Sequence, residues 1–386
     1  MLPGRGDKVS VSASNADRLA LFEAFPALAQ RLPYIPLATT PTPVQQADAF
    51  ARDHGMGGLF IKRDDLSSAI YGGNKTRKLG FLLGAAKQQG ARSVITFGAA
   101  GSNHALATAV FCQRMGLNAT LVLGPQHNSH HVRGNLRAMY ESGAALHPCP
   151  WRDTAKTTVR CFYHHWEQDG RPPYVIPPGG SSPVGALGFV NAAFELARQV
   201  DAGQLPAPDV IYVASGTMGT CMGLALGLSA LQMNTQVMAV RVTHEPFTGM
   251  TRAHALFNAT NALLRQQTTA FPACTLTASR FVIREEFFGR DYALFTPTGM
   301  AAIDTAAAQL DIALEGVYTG KAFAALLADA AAGHLRDKCV VFWNTYSGGP
   351  PQTTAPFDHT ALPKALHTYF TSDTQPLARI FHQVSS

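Results

Sequence analysis

Ser93-Val94-Ile95-Thr96-Phe97, followed by Gly98-Ala99-Ala100-Gly101-Ser102-Asn103-His104, is the stretch that sets the fold class. Five residues rich in β-branched and aromatic side chains read as a buried strand, and the small residues after them as a turn. Ser102 stands where an N-cap belongs, ahead of a helical pattern over 103–115. A strand, a turn of small residues and a helix make up half of a βαβ unit.

The same rhythm continues outward. Residues 119–123 (ATLVL) read as a strand and 131–142 as a helix. Residues 210–213, 236–242 and 339–343 are further strands, with a Gly-rich helical segment between the first two of them. The pattern predicts an α/β protein with twisted, mostly parallel sheets covered by helices. The Pro/Gly-rich segment 171–183 is the expected crossing between two lobes. The first 30 or so residues and the tail from about Thr371 are expected to be peripheral.

Composition narrows the function. The 386 residues are 46% hydrophobic and 15% charged, which suits a compact enzyme with a large core. The formal charge is +6, but Lys and Arg are scattered, unlike a nucleic-acid surface. No apolar run approaches the roughly 20 residues of a membrane helix, and the N-terminus lacks a secretory h-region. Six separated cysteines without C-x-x-C read as reduced thiols. These features predict a cytoplasmic protein that binds neither nucleic acid nor membrane. No metal is expected either. His127, His130 and His131 form H-x-x-H-H and His164 and His165 are adjacent, but H-E-x-x-H and zinc-finger spacing are absent, so polar loop histidines are the better account.

Three clusters carry candidate chemistry. Gly72-Gly73-Asn74-Lys75-Thr76-Arg77-Lys78 places three cations within four positions, directly after a double glycine. Cations at a helix start oppose the helix dipole, a mismatch that a bound anion relieves. Ser102-Asn103-His104 opens a helix after a strand, where α/β proteins bind ligands. Ser215-Gly216-Thr217-Met218-Gly219-Thr220 also follows a strand, and its N–H groups and hydroxyls can nest a phosphate. It is neither a Walker A loop nor G-x-G-x-x-G. G-x-S-x-G is absent too, which argues against a serine hydrolase. Late in the chain lie Tyr318-Thr319-Gly320-Lys321 and Asn344-Thr345-Tyr346-Ser347-Gly348-Gly349.

In this order the clusters resemble the D-cysteine desulfhydrase / 1-aminocyclopropane-1-carboxylate deaminase family, which belongs to the fold-type II, tryptophan-synthase-β-like pyridoxal-phosphate enzymes. The resemblance runs from about Leu37 to Gly349. It is strongest in Leu59-Phe60-Ile61-Lys62-Arg63-Asp64-Asp65-Leu66, the Gly72–Lys78 cluster, and residues 178–188 (PGGSSPVGALG). It implies a two-domain enzyme with 1–71 and 181–386 as the larger, cofactor-binding domain and 72–180 as the smaller, in a homodimer.

The resemblance also implies site roles. Lys75 would hold pyridoxal 5'-phosphate as a Schiff base and then move the Cα proton. Lys78 and the Ser215–Thr220 turn would take the phosphate. Asn103 would meet the ring oxygen, and Ser102, Asn103 and His104 the substrate. Tyr318 would work at the leaving group beside Thr319, and Thr345 at the pyridine nitrogen. The deaminase pattern has Tyr-Glu-Gly-Lys, whereas Thr319 here matches desulfhydrases. That favours β-elimination on a small amino acid, with D-cysteine giving pyruvate, ammonia and hydrogen sulfide. Ring-opening deamination, elimination on L-cysteate or D-serine, and a non-enzymatic cofactor carrier or sensor are the rival readings. Three positions depart from the family pattern: Gly80 stands for an acid, Leu106 for an arginine, and Tyr346-Ser347 precede the final glycines.

Overall fold

A computed structural model describes residues 19–347 and 356–379. Gly348 and Gly349 lie outside the described residues. Among the described residues ten strands run in chain order: β1 (Val44–Gln46), β2 (Gly58–Arg63), β3 (Ser93–Ala99), β4 (Asn118–Gly124), β5 (Ala145–Pro148), β6 (Tyr174–Ile176), β7 (Val210–Ser215), β8 (Gln236–Arg241), β9 (Phe281–Arg284) and β10 (Cys339–Asn344). They build two sheets. The smaller has order β5-β4-β3-β6 and is wholly parallel. The larger has order β1-β2-β10-β7-β8-β9, and only its β1–β2 pair is antiparallel. The α/β reading holds. After β6 the chain passes through 177–182 into the Pro183–Asp201 helix and on to β7, so the expected crossing lies at the change of sheet.

Both sheets are buried on two faces, which is why their strands read as continuous apolar runs. Successive side chains alternate between faces. Val94 and Leu121 pack with the Asn103–Met115 helix, whereas Ile95 and Val122 pack with Cys161 of the Thr154–Asp169 helix. In the larger sheet Ile211, Val213, Val341 and Trp343 face Phe189 and Leu224. Tyr212, Val340 and Phe342 face Phe323 and Leu326 on the other side.

Of the two segments expected to be peripheral, 1–18 and 380–386 lie outside the described residues, and parts of the rest are buried. Leu21 and Phe22, in the short Ala20–Ala24 helix, are buried in the main core. The Leu21 N–H donates to Asn191 Oδ1 at 3.0 Å, and the Phe22 ring meets Phe81 edge-on at 6.1 Å. Near the other end Gln375 is buried, accepting from Phe295 N at 2.7 Å and donating to Ala293 O at 3.0 Å. A short helix with one apolar face, and a glutamine spending its amide on backbone groups, carry little hydropathy signal.

Candidate active site

The carboxyl ends of β2, β3, β4, β7 and β10 converge on one cleft of about 870 Å³ between the sheets. Strand ends are where open α/β sheets leave backbone groups and loops free to bind a ligand.

Lys75 enters this cleft on the turn after β2. Gly73 has φ of +82°, and a Cβ there would sit 2.8 Å from Thr345 O, so only glycine fits. The Gly73 N–H donates to Asp64 O at 2.7 Å, and the Asn74–Gln88 helix begins at the next residue. Lys75 is its second residue. Its Nζ lies 6.0 Å from the Tyr318 ring centre and has no ion-pair partner among the described residues. Burial lowers the Lys75 pKa to about 8, although Glu315 and Cys221 pull it back upward.

The helix then separates the other two cations of the 75–78 cluster. Arg77 points away from the cleft and is paired twice, with Asp64 at 2.8 Å and Glu195 at 2.8 Å. Lys62 joins this group through Glu195 at 2.6 Å. The charged residues in the stretch around β2 are therefore mainly a buried framework, and the three-cation cluster supplies only Lys75 and Lys78 to the cleft. Lys78 is buried and, among the described residues, bonded only to neutral oxygens, Gly179 O at 3.1 Å and Ser181 Oγ at 3.4 Å. Burial pushes its pKa well down, and the nearby Lys75 adds to the shift. A buried cation without a counter-charge is costly, and an anion in the cleft removes the cost.

Opposite Lys78 lies the turn after β7. The Gly219–Ala230 helix starts there without a side-chain bond from its own N-cap, Met218, which has φ of +71°; the Gly219 N–H donates to Ser181 Oγ at 3.1 Å. The positive end of such a helix, with a buried lysine beside it, suits an anion. A Cβ on Gly219 would fall 2.6 Å from Ser181 Oγ and 2.9 Å from Lys78 Nζ, so the absent side chain leaves the room between turn and cation. Hydroxyls tie the turn down: Ser181 and Thr217 at 2.7 Å, Asn74 Nδ2 to Thr220 Oγ1 at 3.0 Å, and Thr248 Oγ1 to Gly216 O. Ser215, Gly216, Thr217, Met218, Gly219 and Thr220 all line the cleft.

The turn after β3 forms the facing wall. Ser102 Oγ accepts from Ala105 N at 3.2 Å, so it is an N-cap as well as a lining residue. His104 is buried, its Nε2 3.1 Å from Thr96 Oγ1. Thr96 spends its hydroxyl hydrogen on Ile176 O at 3.0 Å, so His104 donates from Nε2 and its Nδ1 is left as an unpartnered buried acceptor. Asn103 lines the cleft and is contacted from behind by His131 and Asn135.

The far wall carries Tyr318, whose Oη lies 2.7 Å from Tyr292 Oη. Burial raises the Tyr318 pKa well above the usual phenol value, with Tyr292 adding to it, so the hydroxyl keeps its proton at neutral pH. Glu315 also lines the cleft, but its carboxylate accepts from the backbone N–H groups of Val317, Tyr318 and Thr319 at 2.8, 2.6 and 3.0 Å. In return Thr319 Oγ1 accepts from Glu315 N at 2.9 Å. Thr345 is buried at the end of β10, and its carbonyl accepts from Asn74 N at 3.3 Å. At the mouth, Asp291 accepts from His127 at 2.8 Å and His244 at 3.0 Å, joining the segment after β4 to the larger-sheet side. Among the described residues no group of three or more His, Cys, Asp and Glu side chains could hold a metal ion.

The cleft thus gathers Lys75, Lys78, Ser102, Asn103, His104, the Ser215–Thr220 turn, Tyr318, Thr319 and Thr345 from five separate loops. Sequence reading missed Asn74, Ser181, Glu315, Tyr292 and Asp291. Ser181 had a signal, since it lies in the Gly/Ser-rich 178–188 segment; Tyr292 and Asp291 had none. The departures also find places. A side chain at position 80 would strike Tyr34 at 2.7 Å and Ile35 O at 2.8 Å, Leu106 fills the core of the smaller sheet, and Tyr346 adds a ring to the cleft wall.

Comparison with known proteins gives the family. The family model described as "Pyridoxal-phosphate dependent enzyme" matches residues 35–345. D-cysteine desulfhydrase of Klebsiella pneumoniae subsp. pneumoniae is 31% identical over 333 residues, covering 85% of this chain and 98% of that one. A Pyrococcus horikoshii protein provisionally named 1-aminocyclopropane-1-carboxylate deaminase is 35% identical over 324 residues, covering 83% and 93%. The crystal structure of an ACC deaminase homologue superposes with a TM-score of 0.71 at 32% identity, covering 83% of this chain and 93% of that one. No helix among the described residues is long and apolar enough to cross a membrane.

Proposed function

The chain belongs to the pyridoxal-phosphate dependent enzyme family, and from that premise we propose that it is a lyase cleaving D-cysteine to pyruvate, ammonia and hydrogen sulfide. Dependence on pyridoxal phosphate and action on a small amino acid follow from the family and from relatives that span nearly the whole chain. The substrate and the residue roles are our reading.

The observation that carries it is a pair of lysines without counter-ions among the described residues, buried Lys78 against the helix start at Gly219 and partly buried Lys75 beside Tyr318. Lys78 and the Ser215–Thr220 turn have the charge and donors for the phosphate, and Gly219 leaves the space. Lys75, with a pKa near 8, carries on the order of a hundredfold more neutral amine at pH 7 than an ordinary lysine. It is the residue to bond the cofactor and to hold the Cα proton on Nζ. Pyridoxal phosphate, when bound, supplies an electron sink for the charge that develops as the Cα–H bond breaks.

Asn103 would donate to the cofactor's ring oxygen, and Ser102 and His104 would face the substrate. Tyr318 keeps its proton on Oη and can give it to the departing sulfur, with Tyr292 as its hydrogen-bond partner. Thr319 stands where the deaminase pattern has a carboxylate, and both oxygens of Glu315 are spent on backbone N–H groups. This supports a neutral hydroxyl, that of Thr345, as the pyridine-nitrogen partner, and hence elimination over ring opening. We take residues 72–180 as the smaller domain, and 1–71 with 181–386 as the larger, in a cytoplasmic homodimer whose stoichiometry sedimentation measures.

The test is to load the purified protein with cofactor and screen small amino acids for keto-acid release. D-cysteine is expected to yield pyruvate, ammonia and sulfide in equal amounts. Turnover of 1-aminocyclopropane-1-carboxylate without sulfide release from D-cysteine overturns the assignment in favour of the deaminase. Cofactor binding without turnover of any amino acid favours a carrier.

A further inference from the structure

The H-x-x-H-H cluster that resembles a metal motif divides in the fold. His127 goes to the mouth of the cleft, and His131 turns inward to Asn103. His131 and Asn135 are four residues apart on the His130–Glu141 helix, so they share one face, and that face meets the turn after β3.

Their contacts decide which end of the Asn103 amide faces the ligand. Asn135 Nδ2 lies 2.9 Å from Gly101 O, which can only accept, so this end of Asn135 is the nitrogen. The same Nδ2 lies 2.9 Å from the Asn103 side chain and 3.1 Å from His131 Nε2. An amide oxygen has two lone pairs and can accept from both neighbours, whereas an imidazole nitrogen has one, so the Asn103 atom they share is the carbonyl oxygen. His131 Nε2 is 2.9 Å from that oxygen and donates to it. Burial lowers the His131 pKa to about 4, so the ring is neutral at physiological pH and carries its single proton on Nε2. The backbone is pinned as well: Tyr71 Oη donates to Asn103 O at 3.1 Å, and Ser102 caps the helix at its first turn. With Oδ1 held twice from behind, the Asn103 NH2 is the end left for the cleft.

We propose that His131 and Asn135 are positioning residues that lock Asn103 as a hydrogen-bond donor toward the bound cofactor. The proposal rests on the cofactor reading above. It adds that the polarity of this contact is set by two residues one layer behind the cleft wall. A ligand atom meeting Asn103 must be an acceptor, as an oxyanion on the cofactor ring is.

The decisive readout is the visible absorption band of the cofactor-loaded full-length protein, titrated with pH. Asn135→Asp keeps the shape but offers only acceptors. It is expected to draw the Asn103 NH2 inward, present Oδ1 to the cleft, and move the titration midpoint up by at least about half a unit, the scale of one hydrogen bond to a charged group. His131→Leu leaves the Asn135–Gly101 bond intact and is expected to shift the midpoint in the same direction by less, while His131→Gln, which can still donate, restores it. In an Asn103→Ala background neither Asn135→Asp nor His131→Leu is expected to move the midpoint further. A midpoint unchanged in folded, cofactor-loaded Asn135→Asp overturns the proposal, as does an equal shift that persists without the Asn103 amide. If Asn135→Asp fails to fold, the His131 pair decides alone: a wild-type midpoint in His131→Leu, or no recovery in His131→Gln, overturns it. A wild-type protein with no visible band overturns the cofactor reading itself, and the positioning role with it.

Discussion

Arg77 and Lys78 are consecutive residues of one helix, both buried, and they face opposite electrostatic worlds. Arg77 lies between Asp64 and Glu195, with Lys62 closing the group, and every charge has an opposite within 2.8 Å. Lys78 has only two neutral oxygens. A buried cation with fixed partners ties elements together, here β2, the Asn74–Gln88 helix and the Pro183–Asp201 helix. A buried cation without them stores an unmet demand, which a ligand's charge can satisfy. Framework and binding site are thus told apart by the company a charge keeps, not by its burial or its residue type.

The comparison can be broken by experiment. Its largest effect belongs to the second unpaired cation: Lys75→Ala is expected to cut turnover by on the order of 10³-fold or more with the fold intact, as kinetics and circular dichroism would report. Undiminished turnover would remove Lys75 from the chemistry. Arg77→Met strands buried Asp64 and leaves Glu195 with Lys62 alone, and is expected to destabilise the protein by about 3–5 kcal/mol in urea unfolding. Burial alone would raise the Glu195 pKa, but Arg77 and Lys62 outweigh it and hold it at about 2. Its contribution is therefore present above about pH 4.5, is lost as pH falls toward 2, and should be blunted in Arg77→Met.

Lys78→Met should behave oppositely. The cofactor-free protein is expected to be as stable as wild type or more so, while cofactor affinity falls by roughly 10- to 100-fold, the cost of a lost charge-assisted contact. If Arg77→Met and Lys78→Met gave the same stability change, the distinction between them would fail. A smaller effect sharpens it: inorganic phosphate is expected to raise the melting temperature of the cofactor-free protein by a few degrees in wild type but not in Lys78→Met. Finally, burial holds the Lys75 pKa near 8. The rate of covalent cofactor capture, followed by absorbance, should rise through pH 8 and level off above it, since only the neutral amine reacts.

Much of this was legible in the residues. Strand–turn–helix rhythm fixes the α/β class because it reflects backbone geometry and two-sided burial, both of which leave local patterns. The motifs marked Lys75, Lys78 and the Ser215–Thr220 turn because glycines, hydroxyls and cations at strand ends are a local signature of ligand binding. Local pattern could not sort Arg77 from Lys78, since their partners lie at positions 64, 179, 181 and 195. Nor could it place Leu21, Phe22 and Gln375 in the interior, or see that Glu315 is spent on the helix start.

What the sequence by itself determined is therefore the fold class, written in residues whose spacing obeys helix, strand and turn geometry, and, through its resemblance to a known family, the cofactor. What only the tertiary structure decided is how charge and hydrogen-bond polarity are distributed: which cation is neutralised, which carboxylate is already used, and which end of Asn103 faces the cleft. Those outcomes depend on groups brought within 3 Å from distant parts of the chain. Electrostatic and hydrogen-bond energies depend steeply on such distances, and sequence separation does not encode them.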